Sequence, residues 1–324
     1  MRVLFAASPA IAIPALQSIC QTEGIEAAGV LTNPDSPKGR HGTPVPTEIG
    51  EAAVKICANV PVLKPQKLDG EAREQVSSLK PDLLVSFAYG RIFGPKFLAL
   101  FPKGGINIHP SLLPKYRGPS PVQAAILNRD TETGLTVQTL AKEMDSGDIL
   151  ASENLQLTGT ETAGSLSEIM AQKAAVILPQ VLRNIAAGTA VARPQDHGKA
   201  SYCSLITRDN TLIDWKKSAA VIEAEIRAFY PWPLCRTIHG GRELYILKAG
   251  IYGETFGVPP YGTPNGKAGQ ILGIDKQAGI LVQTGEGILS VTELQYQGKK
   301  ALFWRDFLNG ARDFLNAQLG SENV

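Results

Sequence analysis

The sequence lacks several features that would assign a function directly. No apolar run approaches the roughly 20 residues that a membrane helix needs, so we expect no membrane partner. Neither a GxGxxG after a strand nor a GxxxxGK[ST] occurs, which argues against NAD and ATP as cofactors. The net charge is only +2 over 324 residues. Composition therefore does not indicate a strongly basic nucleic-acid-binding protein, although a local basic patch is compatible with it.

Cysteine is also scarce. The four cysteines are far apart and form no CxxC or Cys/His cluster: Cys20, Cys57, Cys203 and Cys235. This usage predicts reduced thiols in a cytoplasmic protein, and it predicts neither disulfides nor zinc. The opening MRVLFAASPAIAIPAL has some features of a signal peptide, but two prolines interrupt it and a strand pattern follows at once.

Length and hydrophobic pattern predict two domains, because 324 residues with 44% hydrophobic content can build two cores. Short aliphatic runs alternate with helix-length segments in the first half, which is typical of a doubly wound, mostly parallel α/β sheet. Later hairpin-like signals such as HGGR favour a small C-terminal β-barrel, OB-like in kind. We place the first domain at 1–188, a linker at 189–206 and the barrel at 207–324.

A polar constellation follows the strands of the first domain. In INIHPSLLPKYRGPSP, Asn107 and His109 are two residues apart in an extended segment and share a face. Asp145 lies in KEMDSGDIL, just after the next strand, and neighbouring strand ends would bring the three together. An amide can bind an oxyanion, and imidazole and carboxylate can move protons. The set suits acyl transfer without a covalent intermediate, since Ser111 lacks a GxSxG elbow.

Each of these residues also has an ordinary structural interpretation. An Asn or His at a strand end is commonly a turn former, and the stretch Asp145-Ser146-Gly147-Asp148 is typical of a simple turn. The residues alone leave both interpretations open. We expect the aromatic side chains of Trp215 and Trp232 to be buried in a core.

The block NIHPSLLPKYRGPSPVQAAI, followed by MDSGDIL, resembles the folate-dependent formyltransferases. The resemblance implies that Asn107, His109 and Asp145 are catalytic, that 10-formyltetrahydrofolate is the formyl-donor cosubstrate, and that no metal is needed. It also implies a cis bond at Leu113-Pro114. The implied folate-binding residues are Ala88, Tyr89, Gly90, Arg91, Ile92, Phe93, Ser111, Leu112, Leu113, Pro114, Ser146 and Gly147.

The resemblance covers nearly the whole chain and is strongest to the branch that formylates the methionine carried by initiator tRNA. VLFAASPAIAIPALQSI, LTNPDSPKGRHGTPVPTEI and IDWKKSAAVIEAEIRAFYPWP carry it. It implies a cytoplasmic enzyme of translation initiation whose barrel binds tRNA, and we expect a monomer. The expected tRNA-contacting residues are Lys38 and Arg40 in the PKGR loop, and the basic positions Arg208, Lys216 and Lys217.

Some positions depart from the family pattern. Ala7-Ser8-Pro9 stands where Gly-Thr-Pro is usual, and the loop is poor in lysine, so tRNA contacts are less firmly implied than the catalytic residues. A glycinamide ribonucleotide formyltransferase is an alternative that the second domain disfavours. The PKGR loop and RAFYPWP disfavour a sugar-nucleotide formyltransferase or a formyltetrahydrofolate hydrolase. The intact Asn, His and Asp disfavour a non-catalytic tRNA-binding relative.

Overall fold

The computed structural model describes residues 1–38, 42–57, 59–253, 266–311 and 313–320. The chain divides into two compact units. The first comprises Met1–Pro121, Glu132–Gln156 and Leu166–Ser204, and the second comprises Val122–Thr131, Leu157–Ser165 and Leu205–Val324. The second unit therefore includes two short segments from the half of the chain that the sequence assigns to the first domain.

A seven-stranded sheet forms the centre of the first unit. The strands of this half are β1 (Arg2–Ala7), β2 (Glu26–Leu31), β3 (Ser36–Lys38), β4 (Thr43–Val45), β5 (Val62–Leu63), β6 (Leu83–Phe87), β7 (Gly105–His109), β8 (Glu132–Thr139) and β9 (Ile149–Gln156). The order is β5-β2-β1-β6-β7-β8-β9, and β3 and β4 form a separate hairpin. The neighbouring strands β5, β2, β1, β6 and β7 pair in parallel. Strand β8 pairs antiparallel with β7, and β9 pairs antiparallel with β8. The predicted mostly parallel α/β sheet is confirmed.

The helices of this half follow from capping and apolar spacing. They are α1 (Ile13–Gln21), α2 (Glu48–Ile56), α3 (Gly70–Ser78), α4 (Pro95–Leu98), α5 (Pro121–Leu127) and α6 (Ala163–Ala187). Thr47 caps α2 by accepting from the N–H of Gly50, and Asp69 caps α3 by accepting from the N–H of Ala72. In the described part of the chain, no helix combines the length and apolarity needed to cross a membrane.

Two of the cysteines form a disulfide. Cys20 lies near the end of α1, and Cys57 immediately follows α2. The helices pack side by side, which brings the two Cα atoms to 6.2 Å, within the range that a disulfide spans. The expectation of reduced thiols was therefore wrong for this pair, because spacing along the chain says little about distance in space. Cys203 and Cys235 are free thiols.

The second unit contains an antiparallel sheet. Its strands are β10 (Cys235–His239), β11 (Arg242–Ile251), β12 (Ile271–Asp275), β13 (Gly279–Gln283), β14 (Ile288–Tyr296) and β15 (Leu302–Phe303), and its helices include α7 (Ala219–Ala228) and α8 (Trp304–Gly310). The order is β10-β11-β14-β13-β12, with β15 on β14. Gly240 and Gly241 connect β10 to β11 with φ of 54° and 71°, the positive values that a tight two-residue hairpin requires.

The two tryptophans have different environments within the second unit. Trp215 is buried, and its indole N–H donates to the Thr237 hydroxyl at 3.0 Å, as a core aromatic should. Trp232 is 72% exposed, so the prediction that it is buried was wrong. Pro231 and Pro233 flank it in a turn that follows α7. Neither proline has an N–H to continue the helix, and the turn directs the indole outwards.

We predict that reducing the disulfide lowers the free energy of unfolding of the first unit by about 4 kcal/mol, the chain-entropy value for a separation of 37 residues. Thermal unfolding with and without a reductant measures the change. The Cys20→Ser variant is the control, because reductant should not alter its unfolding temperature. An unfolding temperature of the unsubstituted protein that does not respond to reductant would contradict the prediction.

Candidate active site

Asn107 and His109 lie on β7, next to β8. The two strands are antiparallel, and Asn107 pairs with Gln138 and His109 with Thr136. The end of β8 at Thr139 therefore lies beside Ile106, away from the His109 end. The assumption that parallel strand ends bring Asp145 to the site was wrong. The 140–148 loop folds back instead.

The loop after β8 is closed by its own backbone. The N–H of Thr139 donates to the carbonyl of Asp148 at 2.9 Å, and the N–H of Asp148 donates to the Thr139 hydroxyl at 2.9 Å. Gly147 lies so close that a Cβ there would be 1.7 Å from the Thr139 carbonyl oxygen. Asp145 has a φ of 53°, a conformation that aspartate tolerates better than most residues. This closure directs the Asp145 carboxylate towards β7.

Three N–H groups from three parts of the chain converge on the Asp145 carboxylate. Oδ1 accepts from Gln138 Nε2 at 3.0 Å and from Asn107 Nδ2 at 3.4 Å. Oδ2 accepts from the backbone N–H of Gly118 at 2.8 Å. The Asn107 contact is long and uses at most one of two amide hydrogens. The amide therefore has donor capacity left for a substrate oxygen.

The tautomer of His109 follows from its partner. Nε2 lies 2.8 Å from the carbonyl of Tyr116, which can only accept, so Nε2 carries a hydrogen. Nδ1 lies 3.6 Å from Asp145 Oδ1. Burial lowers the pKa of His109 below 6.5, and the Asp145 charge and the Tyr116 carbonyl oppose this shift only in part. The neutral ring thus presents the Nδ1 lone pair to a carboxylate, and a proton arriving between them is shared by two acceptors.

The segment 88–93 follows β6, the parallel neighbour of β7. Ala88 and Gly90 have φ of 53° and 79°, and both are exposed. Ile92 is 81% exposed, whereas the rings of Tyr89 and Phe93 stack on each other with centroids 5.3 Å apart. Ala88, Gly90 and Ile92 are thus the residues of this segment that a ligand can contact. The guanidinium of Arg91 instead donates to the carbonyls of Pro65 and Gln66.

Several other predicted folate-binding residues are held by local contacts. Ser111 is fully buried, and its hydroxyl donates to the Lys115 carbonyl at 2.5 Å. The Leu113-Pro114 bond is cis, as expected, and Leu113 is buried. The Ser146 hydroxyl donates to the Glu143 carbonyl at 2.9 Å. Two further members of the set are half-buried, Leu112 and Pro114.

The basic positions of the second unit are mostly ion-paired. Arg208 contacts Glu243 at 2.5 Å, and Lys217 contacts Glu225 at 2.5 Å. Lys216 is exposed. Both pairs include an exposed cation, so water screens them and they contribute little to stability.

The predicted basic loop of the first unit follows β3, which pairs with β4. Lys38 ends β3, and the chain returns in β4. Arg40 lies outside the described residues.

Sequence reasoning missed Gln138, Gly118 and Tyr116 in the site. A polar residue inside the apolar strand LTVQTLA was the available signal for Gln138, but backbone contributions leave no such trace.

The fold and the site together define an enzyme suited to acyl transfer, and comparison with known proteins gives its family. Residues 1–182 match the family model described as formyl transferase, and residues 205–312 match formyl transferase, C-terminal domain. The chain belongs to the formyltransferase family.

Relatives named methionyl-tRNA formyltransferase match both domains of this chain. The methionyl-tRNA formyltransferase of Treponema denticola is 48% identical over 97% of this chain and 98% of its own, and that of Treponema pallidum is 43% identical over 99% of each. The solved structure of WlaRD, a sugar 3N-formyl transferase, matches with a TM-score of 0.62 at 20% identity, covering 93% of this chain and 99% of that one. At 20% identity, the likeness to this solved structure shows the fold alone.

We predict that Gly118→Ala displaces the N–H that Asp145 accepts. Gly118 has a φ of 120°, and a Cβ would lie 2.2 Å from the Cys203 carbonyl oxygen. We expect a loss of about 3 kcal/mol in unfolding free energy and a large loss of activity. Gly104→Ala is the control, because Gly104 also has a positive φ but open space around it. It should cost about 1 kcal/mol and leave activity intact. Equal effects of the two changes would contradict the prediction.

We predict that His109 titrates below pH 6.5, because burial disfavours the imidazolium. Histidine NMR of the labelled protein measures this directly, since the chain has only four histidines and a His109→Gln variant assigns the signal. Asp145→Asn should lower the midpoint further, because it removes the negative charge that stabilises the imidazolium. A midpoint above 6.5, or one that rises in Asp145→Asn, is the contrary result.

Proposed function

We propose that this protein transfers the formyl group of 10-formyltetrahydrofolate to the α-amine of methionine esterified to initiator tRNA, in the cytoplasm. The observation that carries the proposal is the approach of Asn107 Nδ2 and His109 Nδ1 to the same carboxylate oxygen, Oδ1 of Asp145. The relatives named methionyl-tRNA formyltransferase, which match nearly the full chain at 43–48% identity, supply the substrate.

Asn107 is the proposed oxyanion donor. When the amine attacks the formyl carbon, negative charge develops on the formyl oxygen. The amide hydrogen not engaged by Asp145 can donate to that oxygen. Loss of one such preorganised donor typically costs about 100- to 1,000-fold in rate.

His109 and Asp145 are the proposed proton acceptor pair. The bond between the formyl carbon and the methionine nitrogen forms first and gives a tetrahedral intermediate, from which the bond to N10 of the folate then breaks. The amine loses one proton and N10 gains one. The Nδ1–Oδ1 gap of 3.6 Å is a place where that proton can be held in transit, with an ordered water completing the relay. We assign the proton to the pair and not to either residue, because closely coupled groups titrate together.

The proposed folate site uses backbone more than side chains. The segment 88–93, in which Ala88, Gly90 and Ile92 are exposed, follows the strand next to β7, and the turn at 145–147 follows the strand on the other side of β7. Tyr89, Arg91 and Phe93 would contribute mainly by shaping this backbone. Ser111 and the 112–114 turn would support the floor of the site in the same indirect way.

The proposed division of labour follows the chain: residues 1–188 catalyse, 189–206 link, and 207–324 bind tRNA. Lys38 and Arg40 would reach the acceptor end. Arg208 and Lys217 would exchange their glutamates for phosphates, and exposed Lys216 would bind phosphate without breaking a pair. Such contacts carry affinity more than catalysis.

We predict that Asn107→Ala lowers kcat for charged initiator tRNA by about 100- to 1,000-fold. Asn154→Ala is the matched control, since this asparagine on β9 is exposed, its side chain hydrogen-bonds to Glu132 and Gln156, and the variant should keep the wild-type rate. The assay offers charged initiator tRNA, free methionine, glycinamide ribonucleotide and an amino-sugar nucleotide in parallel. Wild-type transfer by Asn107→Ala would remove the oxyanion role. Preference for a substrate other than the charged tRNA would overturn the proposed function.

A further inference from the structure

Gln195 is a buried polar residue that the mechanism does not use. It is 5% exposed and follows α6 along the chain, in the segment predicted as a linker, which belongs to the first unit as far as Ser204. A buried amide with two hydrogens and one carbonyl oxygen needs several partners, and all of them are identifiable.

The NH2 group of Gln195 faces the turn that carries Asp145. Nε2 lies 2.9 Å from the Asp145 carbonyl, 2.6 Å from the Gly147 carbonyl and 3.2 Å from Gln138 Oε1. Two of these acceptors are the backbone on either side of the catalytic turn. The third belongs to the residue whose own NH2 donates to the Asp145 carboxylate. The Gln195 side chain therefore bonds both to the backbone of Asp145 and to Gln138, which itself donates to the Asp145 carboxylate.

The carbonyl of Gln195 faces a buried cation. Arg117 is 2% exposed, and its Nε and Nη2 donate to Gln195 Oε1 at 3.2 and 2.7 Å. The same guanidinium donates to His197 Nδ1 at 2.9 Å. Because arginine only donates and backbone carbonyls only accept, the orientation of the Gln195 amide is determined by chemistry. The guanidinium charge also polarises the amide and strengthens its N–H donors.

We propose that Gln195, oriented by Arg117, is a positioning residue that holds the 145–147 turn so that the Asp145 carboxylate meets Asn107 and His109. The inference rests on the proposed catalytic role of Asp145. Gln195 adds to the backbone closure between Thr139 and Asp148, and it does so on a loop whose residues Lys142, Glu143 and Met144 are exposed. A displacement of about 1 Å in a reacting group can cost about 100-fold in rate.

The test compares kcat, KM for charged initiator tRNA, Kd for tetrahydrofolate and unfolding temperature among variants. Gln195→Met keeps a similar side-chain volume but removes both the oxygen that accepts from Arg117 and the NH2 group that donates to the turn. Gln195→Glu keeps an acceptor for Arg117 but places a second acceptor against the carbonyls of Asp145 and Gly147. We expect both to lower kcat by about 10- to 100-fold, with KM and Kd changed less than about threefold.

Gln283→Met is the matched control. Gln283 is also buried, and its NH2 also donates to two backbone carbonyls, those of Thr284 and Gly287 in the second unit. It should lower the unfolding temperature while kcat stays within about twofold of wild type. The contrast separates loss of position from loss of stability.

The outcomes distinguish the inference from the function. Wild-type kcat in both Gln195 variants, together with a large loss in Asp145→Asn, would overturn the positioning role alone. A fall in kcat no greater than that of Gln283→Met at equal destabilisation would overturn it as well. Wild-type kcat in Asp145→Asn would remove the proposed catalytic set, and the positioning role with it.

Discussion

A single carboxylate, that of Asp145, brings together the polar groups of the candidate site. Asp145 accepts hydrogen bonds from side chains on β7 and β8 and from the Gly118 backbone, while its Oδ1 faces the His109 ring. These groups come from distant parts of the chain, so their convergence requires the folded sheet. The Asp145 charge partly opposes the effect of burial, which lowers the pKa of His109.

The sheet achieves this convergence by changing direction. Parallel strands from β5 to β7 end at one edge, where doubly wound folds place their ligands. Strand β8 runs the other way, and its following loop must fold back to reach the same edge. Gly147 permits that return, because the chain passes the Thr139 carbonyl too closely for any side chain. The site therefore depends on backbone geometry as much as on its polar side chains.

Within the formyltransferase family, the relatives named for methionyl-tRNA match both domains of this chain. The C-terminal sheet adds a second surface without contributing any of the three polar groups proposed for chemistry. Its hairpin at Gly240-Gly241 and its buried Trp215 follow ordinary rules of turn and core formation. The three polar groups proposed for chemistry thus all lie in the first unit.

The amino-acid sequence alone determined the alternation of strands and helices in the first half of the chain, because aliphatic runs are local signals. It also placed Asn107 and His109 on one face, since the strand period of two is local. Only the tertiary structure decided the direction of β8, the Cys20–Cys57 pairing and the contacts of Gln195. Strand direction and contacts across tens of residues are set by which surfaces pack together. No spacing along the chain encodes that packing in a readable form.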